Sequence, residues 1–341
     1  MARVTTLFEL LPALADQVPW LPLGDLPTPL SQASSVLRAR GLAGELWLKR
    51  DDQSSSVYGG NKLRLLEHLL AAAKQRDASE VYSTGAIGSN FALATALHAP
   101  RAGLRPGAIC FPQALTPEAE RSHALLGARA RVVPIAHWSL LPLEVERVQL
   151  RARLAGGRAV VLSQVSFDAE ALFGYVNAGL ELAHQVEQGL CPAPARVVLP
   201  VGSGATTAGI LAGLSLARRL GLWRAAPPCV EAVRIAAWPL SRRGRVLGLA
   251  TKALAGLARL CGDPSLALER EQLVPLRLIT DQLGTGYPYA TAAGLSARRA
   301  FAEAGYDILD DTYSAKAAAH LLRAGGAAGS VLFWCTKSSA T

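Results

Sequence analysis

The chain has 341 residues, half of them apolar and 18% charged, with a net charge of +9. That length forms one large domain or two modest ones, and the composition is that of a folded protein. Apolar runs are broken by Arg, Pro or His before they could span a bilayer, and the basic residues are dispersed in short pairs such as Arg218–Arg219 and Arg242–Arg243. Neither a transmembrane helix nor a nucleic-acid stripe is expected from this pattern.

The N-terminus has a single Arg and no small-residue cleavage site after an apolar run, which favours a cytoplasmic location. Five cysteines, Cys110, Cys191, Cys229, Cys261 and Cys335, lie far apart without a C-x-x-C pair. They indicate neither a disulfide framework nor a metal site.

In chain order, residues 80–84 (EVYST) read as a strand that leads through a glycine-rich loop into a helix at NFALATALHA. A strand at 107–111, a helix over 117–128, a strand at 130–135, a helix around 142–154 and a strand at 158–162 follow. A long helix is predicted from about 169 to 188, then a strand at 196–200, a helix over 206–220 and a strand at 229–237. A strand at 307–311, a helix at 315–324 and a strand at 330–334 complete the pattern. Strands separated by helices imply crossover connections, and so an α/β protein with parallel sheets. Two open α/β domains are expected: 1–60 plus 166–341 as the large one and 61–165 as the small one. Ligands bind at strand carboxyl ends in such sheets, which makes the interdomain cleft the expected active site.

Three stretches carry candidate chemistry. In GGNKLRLLEHLL, Asn61 can cap a helix whose Leu63, Leu66 and Leu70 share one face, and Lys62 stands at its mouth. The helix dipole lowers an amine there, as a Schiff-base or proton-transferring lysine requires, although a solvated lysine would look the same. In PVGSGATTAG (200–209), successive backbone amides at a helix start, with the hydroxyls of Ser203, Thr206 and Thr207, suit a phosphate monoester. The spacing fits neither a dinucleotide fingerprint nor a Walker loop. In STGAIGSNFALATA (83–96), Gly88, Ser89 and Asn90 could hold a carboxylate or could simply cap a helix. Lysine, phosphate loop and carboxylate loop together are the parts needed for pyridoxal 5′-phosphate to act on an amino acid.

The segment KRDDQSSSVYGGNKLRLLE resembles the motif of the D-cysteine desulfhydrase and 1-aminocyclopropane-1-carboxylate deaminase family. That family belongs to the tryptophan-synthase-β-like, fold type II pyridoxal phosphate enzymes. The likeness continues through GAIGSN, GYVNAGLELAHQ, GSGATTAG, DDTYSAKA and VLFWCT, in family order. It implies that Lys62 carries the cofactor as a Schiff base and moves the Cα proton. It implies that Asn90 binds the cofactor's phenolic oxygen, and that Gly202, Ser203, Gly204, Ala205 and Thr206 cradle its phosphate. Ser89, with Gly88 and Asn90, would hold the substrate carboxylate and assist proton transfer. Tyr313 would lie by the ring or substrate, Tyr287 and Ser314 would line the substrate site, and Thr336 would face the pyridine nitrogen. A neutral hydroxyl there leaves the ring unprotonated, which suits rapid loss of a β-substituent.

The implied activity is a lyase or deaminase reaction on a small amino acid, desulfhydrase-like, converting D-cysteine to pyruvate, sulfide and ammonia. The alternatives are 1-aminocyclopropane-1-carboxylate deamination, another substitution or ring-forming step in specialised metabolism, or cofactor binding without catalysis. A homodimer is expected from the family. The departures cluster at the implied site: Phe91 replaces a His or Gln, Leu65 replaces a second lysine, Lys337 and Ser338 replace the glycines of H-T-G-G, and the tyrosine of G-Y-G-x-P is displaced to Tyr287.

Overall fold

The computed structural model describes residues 5–163, 166–236, 240–325 and 329–337. The chain begins with α1 (Thr6–Leu10), β1 (Leu30–Gln32), α2 (Ser34–Arg38) and β2 (Glu45–Lys49). It continues with α3 (Lys62–Gln75), β3 (Glu80–Ala86), α4 (Asn90–His98), β4 (Arg105–Phe111), α5 (Pro117–Gly127), β5 (Arg131–Pro134), α6 (Leu141–Leu154) and β6 (Ala159–Leu162). The last part holds α7 (Phe173–Glu187), β7 (Arg196–Val201), α8 (Ala205–Arg219), β8 (Cys229–Arg234) and α9 (Arg243–Cys261). It ends with β9 (Leu276–Ile279), α10 (Ala292–Glu303), α11 (Ser314–Ala324) and β10 (Ser330–Trp334).

These elements form two compact units. One comprises residues 1–17, 25–61 and 168–341, and the other residues 18–24 and 62–167. The first unit holds a six-stranded sheet in the order β1-β2-β10-β7-β8-β9, parallel except for the antiparallel edge strand β1. Its inner strands, such as Val331–Trp334 and Val197–Val201, are continuous apolar runs. A parallel sheet buried on both faces requires such runs. The second unit holds a four-stranded parallel sheet, β5-β4-β3-β6. Its core joins Tyr82, Ile109 and Ala159 of the sheet to Val148 and Ala152 of α6.

The α/β expectation therefore holds, with three local corrections. Residues 307–311 form no strand, because the Asp310 carboxylate accepts hydrogen bonds from the amides of Thr312 (3.1 Å), Tyr313 (2.7 Å) and Ser314 (3.0 Å). Those bonds start α11 and take the segment out of any ladder. The predicted 169–188 helix begins as a short 3₁₀ turn at Glu170–Leu172 and becomes α-helical only at Phe173. The predicted 229–237 strand ends at Arg234, and residue 237 lies outside the described residues.

Two features position the loops that matter later. Helices α7 and α8 approach so closely that a Cβ on Gly209 would lie 2.2 Å from the Tyr175 Cβ, and one on Gly213 would lie 2.2 Å from the Val176 carbonyl oxygen. Only glycine permits this backbone contact. Beneath the 59–61 turn, Lys49 is fully buried and donates to Glu181, to Gln185 Oε1 (2.7 Å) and to the Thr28 carbonyl (2.7 Å). The Thr28 hydroxyl bonds Asp51 Oδ1 (2.9 Å), the Trp334 indole bonds Asp51 Oδ2 (2.8 Å), and the Asp51 carbonyl accepts from the Gly60 amide (2.7 Å). A satisfied buried network of this kind fixes the turn that leads into α3.

Candidate active site

The glycine-rich loop of the first unit follows the carboxyl end of β7. Gly204, at φ +89°, is the residue before α8 and supplies no side-chain cap, so the first-turn amides of α8 lack a side-chain acceptor from that position. Thr207 Oγ1 is buried and has no hydrogen-bond partner. Orphaned amides and a buried hydroxyl at one helix start are what a phosphate would satisfy, so these residues fit the 5′-phosphate of a bound cofactor.

Asn61 is fastened to this loop. Its side-chain amide donates to Thr206 Oγ1 (2.8 Å), and its backbone amide donates to the Thr336 carbonyl (3.0 Å). Lys62 is the next residue and opens α3. Burial lowers its amine from 10.5 to about 8, which raises the neutral fraction at pH 7 to about a tenth, far above that of an exposed lysine.

In the same unit Tyr313 stands beside Gly202, where an added Cβ would come 3.4 Å from the Tyr313 ring. Tyr287 meets Tyr313 edge-on, with ring centroids 5.6 Å apart. Burial, Tyr287 and Asp310 push the Tyr313 hydroxyl well above its usual value, which keeps it a proton donor. Ser314 is only 1% exposed, and its hydroxyl bonds the Asp310 carboxylate and accepts from the Asp310 amide (2.9 Å) at the start of α11. Lys337 follows Thr336, and burial lowers its amine to about 8 as well. Ser338 lies outside the described residues. The Cys335 thiol is buried and pushed up by that burial, which leaves it inert.

In the second unit Ser89 caps α4, its hydroxyl accepting from the Ala92 amide (3.3 Å). Gly88, at φ +82°, precedes it, and a Cβ there would strike Ala119 of α5 at 2.6 Å, so the loop lies flush against that helix. Asn90 is the first residue of α4, and Phe91 and Leu65 are both buried.

Two residues beside these loops are not legible as site residues from the sequence alone. Asp310 organises Thr312, Tyr313 and Ser314 through one carboxylate. Arg245 of α9 donates from Nε to the Ser203 carbonyl (3.0 Å). Its only sequence signal is the cluster Arg242-Arg243-Gly244-Arg245, in a helix without a predicted boundary.

A family profile described as pyridoxal-phosphate dependent enzyme matches residues 21–336. The chain belongs to the pyridoxal-phosphate-dependent enzymes. It is 36% identical over 333 residues to nocardicin C-9′ epimerase of Nocardia uniformis subsp. tsuyamanensis, covering 94% of this chain and 93% of that protein. It is 30% identical over 314 residues to D-cysteine desulfhydrase of Serratia proteamaculans, covering 90% and 88% respectively. The crystal structure of an ACC deaminase homologue shares the fold, with a TM-score of 0.76 at 24% identity over 98% of this chain and 95% of that one. The enzyme thus falls in the desulfhydrase and deaminase family of fold type II, and its cofactor is pyridoxal phosphate. Among the described residues, no helix is long and apolar enough to cross a membrane, and no group of three or more His, Cys, Asp or Glu could hold a metal ion.

Proposed function

We propose that the enzyme transfers the Cα proton of an amino-acid substrate, with Lys62 as the base. The observation that carries this reading is the lysine itself. Its amine is lowered to about 8, and it follows directly on an asparagine bonded to both the glycine-rich loop and Thr336. Pyridoxal phosphate, when bound, supplies the electron sink that acidifies the substrate Cα–H. Residues Gly202 to Thr206 hold its phosphate, Asn90 its phenolic oxygen, and Thr336 offers a neutral hydroxyl to the ring nitrogen. Ser89, with the Gly88–Asn90 loop, binds the substrate carboxylate. Tyr313 and Tyr287 present protonated phenols to the substrate.

Two fates follow proton removal. Return of a proton to the opposite face inverts Cα and leaves every other bond intact. We favour this epimerase-type outcome, since the relative at 36% identity is an epimerase and Lys337 adds a second desolvated amine next to Thr336. The second reading is β-elimination to a 2-oxo acid and ammonia, desulfhydrase-like, and it is supported by the 30% identical desulfhydrase; a neutral Thr336 hydroxyl at the ring nitrogen would suit it.

Incubation of the holoenzyme with a panel of free and peptide-linked amino acids in deuterium oxide tests both. Loss of the α-proton signal with inverted configuration supports epimerisation. Pyruvate or another 2-oxo acid with ammonia supports elimination. No α-proton exchange on any member, with the cofactor in place, refutes the assignment of Cα proton transfer for that range of substrates.

A further inference from the structure

Helix α6 carries two apolar stripes on opposite faces. Val148 and Ala152, with Leu141 and Val145 beside them, pack into the core of the second unit with Tyr82, Ile109 and Ala159. Half a turn away, Leu143, Leu150 and Leu154 recur at helical spacing and stand 51%, 55% and 81% exposed. Trp138 and Leu140, in the 3₁₀ turn that leads into α6, are exposed as well. Arg147 lies between Leu143 and Leu150, and its guanidinium bonds Glu144 (3.3 Å), so its methylene stem fills the gap in the stripe. A single exposed leucine is ordinary on a folded surface, and a helix needs only one apolar face to pack on its own core. A second stripe of this length marks a surface that another protein covers.

The charges beside the stripe point to a second copy of this chain as the occupant. Glu146 and Arg153 are seven residues apart, which places them about two turns apart on one flank of the stripe. Both are exposed, and neither has an ion-pair partner among the described residues. Two α6 helices laid antiparallel about a two-fold axis near the middle of the stripe set Leu143 against the copy's Leu154. The same register sets the Arg147 stem against the copy's Leu150, and Glu146 against the copy's Arg153. The axis makes each of these contacts twice. A parallel arrangement would instead set like charges against each other on this flank, which is repulsive.

We infer that the outer face of α6 docks on the same face of a second copy of this chain, as an antiparallel helix pair held by the leucine stripe and by symmetric Glu146–Arg153 ion pairs. The inference stands on the second unit alone and is independent of the chemistry proposed above.

Sedimentation velocity of the holoenzyme over a concentration series tests it. Every position substituted is exposed, so the core of each variant stays intact. Leu150→Asp is expected to weaken self-association roughly 100-fold or more, because the axis places the lost contact in the interface twice. Glu146→Arg and Arg153→Glu are each expected to weaken it roughly 10-fold, by setting like charges together. The double reversal Glu146→Arg/Arg153→Glu is expected to restore association to near the unaltered level. That rescue is the decisive readout, since a role in folding or in general solubility would not produce it. An unaltered protein that stays monomeric throughout the series overturns the inference and leaves the stripe to a different partner. Association unchanged by Leu150→Asp overturns it by placing the contact between copies elsewhere. A double reversal no better than either single one overturns the antiparallel pairing.

Discussion

Replacing glycine with alanine in a helix interior usually stabilises it by about 1 kcal/mol, because glycine loses more backbone entropy on folding. At Gly209 the structure predicts the opposite sign. The added Cβ would lie 2.2 Å from the Tyr175 Cβ, 2.9 Å from its carbonyl carbon and 3.0 Å from its Cα. Carbon atoms pack at about 3.5–4.0 Å, so α7 and α8 must part by roughly 1 Å. Neither helix can give locally, because Gly213 and Gly179 make the same close contact one turn further on, with their neighbours at 2.2–2.9 Å. Overpacking of this kind costs about 1–3 kcal/mol or more, which exceeds the propensity gain. Gly248 on α9 provides the control, since a Cβ there meets only the tip of Arg270 at 3.9 Å. Urea unfolding should show Gly209→Ala destabilised by a net ~1–2 kcal/mol and Gly248→Ala stabilised by about 0.5–1 kcal/mol. Because α8 carries the glycine-rich loop, Gly209→Ala should also weaken cofactor binding. The reasoning is refuted if the two variants shift stability in the same direction.

Two further outcomes follow from buried carboxylates in the first unit. Burial alone would raise Glu231, but hydrogen bonds from His320 (2.9 Å) and Arg196 (2.7 Å), and the Arg196 charge, bring it from 4.5 down to about 2. A depressed carboxyl contributes stability that is complete above the unfolded value and is lost as pH falls from 4.5 towards 2. The amount is roughly 3 kcal/mol. Denaturant titrations across that window should show this slope and its flattening in Glu231→Gln. For α11, Asp310→Ala removes the acceptor of three backbone amides and should cost about 1–2 kcal/mol in thermal or urea unfolding, with Asp310→Asn losing less. Equal stability of all three proteins would contradict the capping role.

Most of the fold was legible because parallel strands and amphipathic helices leave strong periodic signals, as at Val331–Trp334 and in the leucines of α3. The failures have local causes. DILDD has the composition of a short strand, yet one aspartate side chain satisfies three amides and starts a helix instead. Helices α9 and α10 were not predicted, although buried residues recur at helical spacing in both, as at Val246, Ala250, Ala253 and Leu257 of α9. The local structure of the candidate site was legible too, since Lys62, the Gly202–Thr206 loop and the Gly88–Asn90 loop lie where a strand or tight turn leads into a helix. Arg245 was not, because its bond to Ser203 joins segments far apart in the chain, and Asp310 was not, because DILDD reads as a strand where its carboxylate in fact caps the next helix. The edge-on meeting of Tyr287 with Tyr313 likewise depends on a turn geometry that spacing does not reveal.

The central claim is that Lys62 is the residue that carries pyridoxal phosphate. Borohydride reduction of the holoenzyme, followed by proteolysis and mass spectrometry of the lysine-containing peptides, tests it directly. The account predicts a phosphopyridoxyl group on Lys62 alone, absent in Lys62→Ala. It also predicts that reconstitution of the apoenzyme quickens as pH rises through about 8, where the amine loses its proton. A phosphopyridoxyl group on Lys337 or Lys49 in place of Lys62, or none on any lysine of a cofactor-loaded protein, would contradict it.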